Sequence, residues 1–161
     1  MKKMSKSMYR WMWPLEKIAL FLVATSIIFM FVFSIHMANG ASMYPTISDG
    51  EICLFFRLDT PEREDIVSYI YNQKLYMGRV VAIAGDKVSV DHGKLYVNGY
   101  EKESFYEVSG QVAEHIVGIQ SVFIMNDYRT DQNDSRKFGE MPIDHIEGVY
   151  FASVRTGGHS A

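Results

Sequence analysis

The chain is 161 residues long with a net charge of −3, and its only cysteine is Cys53. That length allows one modest domain plus an accessory segment, and a lone cysteine excludes an internal disulfide. The first 17 residues carry five basic side chains and one acidic one, so the remainder holds −7, a balance that excludes a phosphate-neutralising nucleic-acid surface.

Between Ile18 and Ile35 the sequence contains no charge, Pro or Gly. As a helix it would extend about 27 Å at ~1.5 Å per residue, enough with its flanks to cross a hydrocarbon core. A transmembrane anchor is therefore expected over residues 18–37, between an N-terminal stretch 1–17 and a domain 38–161. Lys2, Lys3, Lys6, Arg10 and Lys17 precede the run, and Asp49 and Glu51 are the first charges after it. The positive-inside bias makes 1–17 cytoplasmic and 38–161 extracytoplasmic, in a single-pass protein of the cell membrane; Trp11 and Trp13 suit the interfacial belt. Ala38-Asn39-Gly40 offers a small-x-small motif, so a cleaved signal peptide is the competing reading. The run exceeds the usual ~7–15-residue apolar core of such peptides, which favours a retained anchor.

After residue 40 the composition reads as strand and turn. Ile52–Phe56 and Ile66–Tyr71 are short aromatic and β-branched runs separated by a polar loop at Asp59–Glu64. Cys53 falls in the first of them and reads as a buried strand residue. Leu75–Ala84 is a long apolar run closed by Gly85-Asp86. Val88–Val90 and Leu95–Val97 flank Asp91-His92-Gly93 as a hairpin, and Asn98-Gly99 is a second tight-turn signal. Val122–Met125 is a further strand, followed by the polar stretch NDYRTDQNDSRKFGE. No sustained 3.6-residue apolar period occurs in this part. A mainly antiparallel β domain is predicted.

Four blocks in this order, SMYPTISDGE, EDIVSYI, GRVVAIAGDKVSV…LYVNG and NDYRTDQNDSRKFGEMPIDHIEG, lie behind an N-terminal anchor. In this the chain resembles the type I signal peptidases, membrane-anchored serine endopeptidases that remove signal peptides from exported proteins. The resemblance runs from the anchor to about Ala152. It implies a signal-peptidase-I-like β domain behind one transmembrane helix, and a substrate bound as an added strand at an exposed sheet edge. Ser42 then holds the nucleophile position and Met43 the membrane-facing position beside it. Gly40 and Ala41 permit close backbone approach, and the Ser42 N–H contributes to an oxyanion hole. Tyr76 and Met77 would line the small-residue subsites. Arg79 with Asp127, and Asp134 with Arg136, would be structural pairs near the site.

Two positions depart from the family pattern. The base, a neutral Lys immediately before the Arg of the third block, falls at Gly78. The Ser that hydrogen-bonds that Lys falls at Gln132, and the usual Gly-Asp-Asn-Arg is Asn126-Asp127-Tyr128-Arg129. A serine hydroxyl needs a proton acceptor. Arg79 stays protonated and cannot serve. Lys74 is roughly 13 Å along a strand from Gly78 at ~3.3 Å per residue, and His36, His92, His115 and His145 lie in other segments. The loop from Asp131 lacks calcium-loop chemistry, with Arg136 where Gly and Pro142 where Glu would be needed. The five histidines show no ligand spacing. Neither metal nor other cofactor is expected.

The sequence therefore points to a membrane-anchored, signal-peptidase-like protein that engages exported preproteins at the outer membrane face without standard Ser/Lys catalysis. The likeness extends to degenerate relatives encoded in Gram-positive pilus loci, which implies a pilin subunit or its sortase as partner. The alternatives are an active signal peptidase using Ser42 with another base, and a purely structural anchor.

Overall fold

A computed structural model describes residues 6–102 and 107–155, with side chains from residue 14 onward. Lys2, Lys3 and the side chains of Trp11 and Trp13, named above for the membrane flank, lie outside the described residues. Helix α1 (Lys6–Val32) contains the segment Pro14–Val32, which is long and apolar enough to cross a membrane and is wholly unburied. Its two hydroxyls are satisfied within the helix: Thr25 Oγ1 donates to Phe21 O and Ser26 Oγ to Leu22 O, each at 2.8 Å. Such internal pairing is what an apolar solvent demands.

The helix stops short of the expected 18–37 anchor. Residues Phe33–Met37 form strand β1 instead. Their alternation explains the difference: Ser34 is buried on one face while Ile35 and Met37 are exposed on the other. Within a continuous apolar run that two-residue period is easily read as helix.

The other strands are β2 (Ile52–Phe56), β3 (Ile66–Tyr71), β4 (Lys74–Ile83), β5 (Lys87–Asp91), β6 (Lys94–Val97), β7 (Tyr100–Glu101), β8 (Val112–Ile116), β9 (Ser121–Met125), β10 (Met141–Pro142) and β11 (Ile146–Val154). A short helix α2 (Ser135–Phe138) and a 3₁₀ turn at Ile143–His145 complete the described chain. They build two sheets, ordered β1-β2-β11-β3-β4-β9-β10 and β7-β6-β5-β8, with every pair antiparallel. The mainly β architecture thus agrees with the sequence-based expectation.

Three apolar clusters hold the sheets. One, with Val81, Val88, Leu95 and Phe123, joins the second sheet to β4 and β9. Another fills one face of the large sheet with Val67, Tyr69, Val80, Ile124 and Val149. The third, Ala38, Met43, Ile47, Cys53, Phe55, Ile66 and Met77, seats the loop that follows β1. Cys53 is fully buried, and burial pushes its thiol up to about 11, so it is an inert core residue.

The outer face of β1, β2 and β11 is apolar and, among the described residues, bare. Cross-strand partners Ile35 and Leu54, Met37 and Ile52, and Ile52 and Val154 share it, and Ile35, Met37, Phe151 and Val154 are each at least 60% exposed. Phe33 packs on Phe29 of the helix (ring centroids 4.8 Å apart) and on Phe151 (5.9 Å). The apolar surface of α1 therefore runs without a break onto the sheet.

Candidate active site

The loop after β1 carries Ser42. Ala38 N–H donates to Glu51 O (2.8 Å) and Gly50 N–H to Ala38 O (2.9 Å), which extends the β1–β2 pairing upward. Gly40 then turns with φ +81°, a conformation that favours glycine, and its N–H donates to Asp49 Oδ1 at 2.6 Å. Ala41 is exposed and its carbonyl accepts from Tyr44 N–H (3.0 Å), while Met43 and Ile47 turn inward as a buried floor.

Ser42 is half-buried, and its carbonyl accepts from Tyr128 N–H at 2.9 Å. The polar block 126–136 is thereby fastened to the serine turn. A second fastening lies beside it. Arg79 Nε and Nη2 donate to Asp127 Oδ1 and Oδ2 at 2.7 and 2.6 Å, and Thr46 Oγ1 also donates to Asp127 Oδ2 at 2.6 Å. Arg79 further donates to Glu64 O at 2.7 Å. A bidentate guanidinium–carboxylate pair of this kind fixes both direction and distance.

A narrow cleft of about 170 Å³ runs beside Ser42, lined by Gly40, Ser42, Met43, Leu75, Tyr76 and Met77, with Met37 to Asn39 and Ile47 completing the wall. The first half of β4 forms one side. Residues 74–79 pair with β3, whereas pairing with β9 begins only at Arg79. The other edge of Lys74–Gly78 has no strand partner among the described residues, which leaves backbone groups free to receive an extended chain. Ser42, Gly40, Met43, Tyr76 and Met77 therefore come together; Ala41 stands outside the lining.

Gly78 faces the same side of β4 as Tyr76, two residues before it, and its surroundings are full. A Cβ at this position would stand 2.4 Å from Ile124 Cγ2, 3.4 Å from Met125 O and 3.5 Å from Tyr69 Cε1. The Ile124 methyl lies where the first carbon of a lysine would have to start. Ile124 is itself pinned, because its N–H donates to the buried Ser135 Oγ at 2.9 Å. Tyr69 is completely buried, stacked on Tyr76 with ring centroids 5.7 Å apart. Its hydroxyl has no partner among the described residues, and burial raises its pKa, so it does not act as a base.

Gln132 is exposed and lies against Gly110, its Oε1 2.9 Å from the point a Gly110 Cβ would occupy. The rest of that block is a polar hub. Asp134 Oδ2 accepts from Asn126 N–H (2.9 Å), and its Oδ1 accepts from Arg136 N–H and Nε (3.0 and 2.9 Å). Arg136 also donates to Ser109 O, Arg129 O and Asp131 O.

Among the described residues, no amine or imidazole bonds the Ser42 hydroxyl. Lys74 is exposed at the start of β4. The His36 ring packs on Phe55 (centroids 5.6 Å apart), its Nε2 is unpartnered, and burial lowers its pKa. His92 pairs with Asp91 at 2.8 Å, and His115 sits 3.3 Å from Glu140. His145 is exposed in the 3₁₀ turn.

Sequence reasoning missed Ile124, Ser135, Asp49 and the Tyr128 N–H as parts of this site. Asp49, Tyr128 and Ser135 lay within the motif blocks, and only Ile124 lay outside them. The roles of Tyr128, Ser135 and Ile124 rest on tertiary contacts that carry no local signal.

The model of the family described as signal peptidase, peptidase S26, matches residues 10–154. A signal peptidase I of Bacillus caldolyticus is 30% identical over 169 residues, covering 91% of this chain and 90% of that protein. A signal peptidase IB of Staphylococcus aureus (strain Mu50) is 26% identical, covering 90% and 88%. A crystal structure of a signal peptidase I from Enterococcus faecalis V583 aligns with a TM-score of 0.49 at 21% identity, over 56% of this chain and 97% of that one.

Proposed function

Because the chain belongs to the signal peptidase S26 family, we propose that it receives the signal-peptide end of exported preproteins in the Ser42 cleft and holds them without efficient cleavage. The observation that carries this is the Ile124 methyl 2.4 Å from a Gly78 Cβ. The base is missing and its space is filled, while the cleft beside Ser42 is open. In serine proteases, loss of the base or nucleophile costs on the order of 10⁶ in turnover, or about 8 kcal/mol. Binding and oxyanion contacts survive such a loss.

In this reading α1 is a single-pass anchor with its N-terminus cytoplasmic and the β domain at the outer face of the cell membrane. Preproteins are the partners. Pilin subunits, delivered to a sortase, are the proposed class, by analogy with degenerate family members of pilus loci.

One observation favours a second reading. Ser42 is retained and its carbonyl is held by Tyr128 N–H, as an active signal peptidase with a non-standard base would need. A preprotein assay on the full chain in detergent separates the two. Wild type is expected to retain preprotein without turnover, and Gly78→Lys combined with Ile124→Ala is expected to gain Ser42-dependent cleavage. Quantitative cleavage by wild type, lost in Ser42→Ala, would overturn the proposal in favour of the second reading.

A further inference from the structure

The serine turn divides two clefts. Ser42 and Met43 line the narrow one, whereas Tyr44, Pro45 and Thr46 line an open cleft of about 810 Å³, and the two share no lining residue. The open cleft's walls include Tyr128 and two acids, Glu64 and Glu107. Tyr44 and Tyr128 are 56% and 48% exposed, so both rings are open to a ligand in this cleft.

Its charge is one-sided where solvent reaches it. Arg79 and Asp127 neutralise one another. Arg129 is only 8% exposed and directs Nη1 to Asn126 O at 2.6 Å. Glu64 and Glu107 are exposed, and no ion pair engages either carboxylate among the described residues. Two carboxylates beside two tyrosine rings form a surface that favours a cationic side chain with an apolar stem.

Resting on the reading above, we infer that this open cleft binds the segment of the same preprotein that follows the signal peptide, with preference for Lys or Arg there. Continuity supports the occupant: a chain lying along β4 past Ser42 meets the Tyr44–Thr46 half of the same turn next. The signal-peptide end and the following segment are then held on either side of one serine. Both halves adding to one binding event gives a grip that neither provides alone.

Three fluorescent peptides test this on the full chain in detergent: a leader ending Ala-Leu-Ala, the same leader followed by six residues with two Lys, and that extension with Glu for Lys. The Lys extension is expected to bind about ten-fold tighter than the leader alone, and the Glu extension no tighter. Glu64→Gln with Glu107→Gln abolishes the gain and leaves leader binding unchanged. Glu64→Lys with Glu107→Lys transfers the gain to the Glu peptide. Tyr128→Ala reduces the gain and Tyr128→Phe keeps it. Equal affinity for the Lys and Glu extensions, or a gain that survives the double Gln variant, overturns the assignment. A wild type that binds the leader but gains nothing from Lys sinks only this inference; one that does not bind the leader at all sinks the proposed function.

Discussion

Ile124 Cγ2 stands 2.4 Å from the point that a Gly78 Cβ would occupy. The two residues lie on neighbouring strands, β9 and β4, two register positions apart, since Ile124 pairs with Val80. Real Cβ atoms do not approach a methyl that closely, and a γ-methyl on a β-branched chain has little room to swing away. Glycine at 78 and isoleucine at 124 are therefore one packing decision. Gly78→Ala is expected to destabilise the domain by about 1–3 kcal/mol, or roughly 2–4 °C in Tm per kcal/mol at this chain length. Ile124→Ala alone should cost about 2–5 kcal/mol from the cavity it leaves. The pair together should cost less than the sum by more than about 1 kcal/mol, because the new methyl enters the space the isoleucine vacates. Additive losses in thermal denaturation would show that 78 and 124 are independent.

The Arg79–Asp127 pair is more than a surface bridge. The two side chains are 21% and 8% exposed, and Thr46 Oγ1 shares the same carboxylate. Removing the acid strands a guanidinium and frees the turn that carries Ser42. Asp127→Ala is expected to cost about 3 kcal/mol, at the lower end for a buried pair because Arg79 keeps some solvent. Thr46→Val removes one hydrogen bond to a charged acceptor and should cost about 1.5 kcal/mol. Peptide binding in the narrow cleft should weaken with the first change more than with the second, as titration with the leader peptide would show. Unchanged leader affinity in Asp127→Ala would disconnect the pair from the site.

Much of the sheet was legible because its strands announce themselves. Ile52–Phe56 and Ile66–Tyr71 are bounded by polar loops, and the structure begins and ends β2 and β3 at those residues. Strand β1 was hidden, since Phe33, Ile35 and Met37 continue an apolar run and only Ser34 and His36 betray the two-residue period. Strand β11 was hidden for another reason. Register shifts at Ile146/Gly148 and Tyr150/Ala152 break its alternation, so no simple pattern survives in the sequence. In the site, motif order sufficed to bring Ser42, Met43, Tyr76 and Met77 to one cleft. What fills the space beside Gly78 was illegible. Ile124 is an ordinary strand isoleucine until tertiary packing aims its methyl at residue 78.

Asp86 sets an acid limit on stability. Its buried carboxylate accepts from Arg63 Nε and Nη2 (2.6 and 2.5 Å), Asn98 Nδ2 (2.8 Å) and Ile83 N–H (2.9 Å). The Arg63 guanidinium, above all, holds it well below the usual carboxylate range. A depressed folded-state pKa gives stability that is complete above the unfolded value, ~3.9, and is lost as pH falls through the folded value. Asp86→Asn is expected to cost about 2 kcal/mol at pH 7. The gap between variant and wild type should narrow steadily below pH ~4. A constant gap from pH 7 to pH 2 in denaturant titrations would show that the carboxylate charge contributes nothing.

The apolar outer face of β1, β2 and β11 sets how deep the domain is expected to sit in a bilayer. Phe33 links α1 to this face by ring contacts at 4.8 Å to Phe29 and 5.9 Å to Phe151. Ile35, Met37, Phe151 and Val154 form a patch that no described residue covers, and with α1 as the proposed anchor such a contiguous apolar patch beside it is expected at the acyl–headgroup boundary. With the native Trp11 and Trp13 replaced by Phe, Phe151→Trp in the full chain, reconstituted in vesicles, should be quenched by brominated acyl chains. Tyr100→Trp marks the second sheet, where the ring is 75% exposed but separated from this face, and should resist that quenching. A buried patch predicts strong quenching at 151 alone, whereas an upright domain touching the bilayer only through α1 predicts none at either site. Phe151→Glu should loosen the seat of the domain, moving a Trp placed at Met37 toward water and red-shifting its emission.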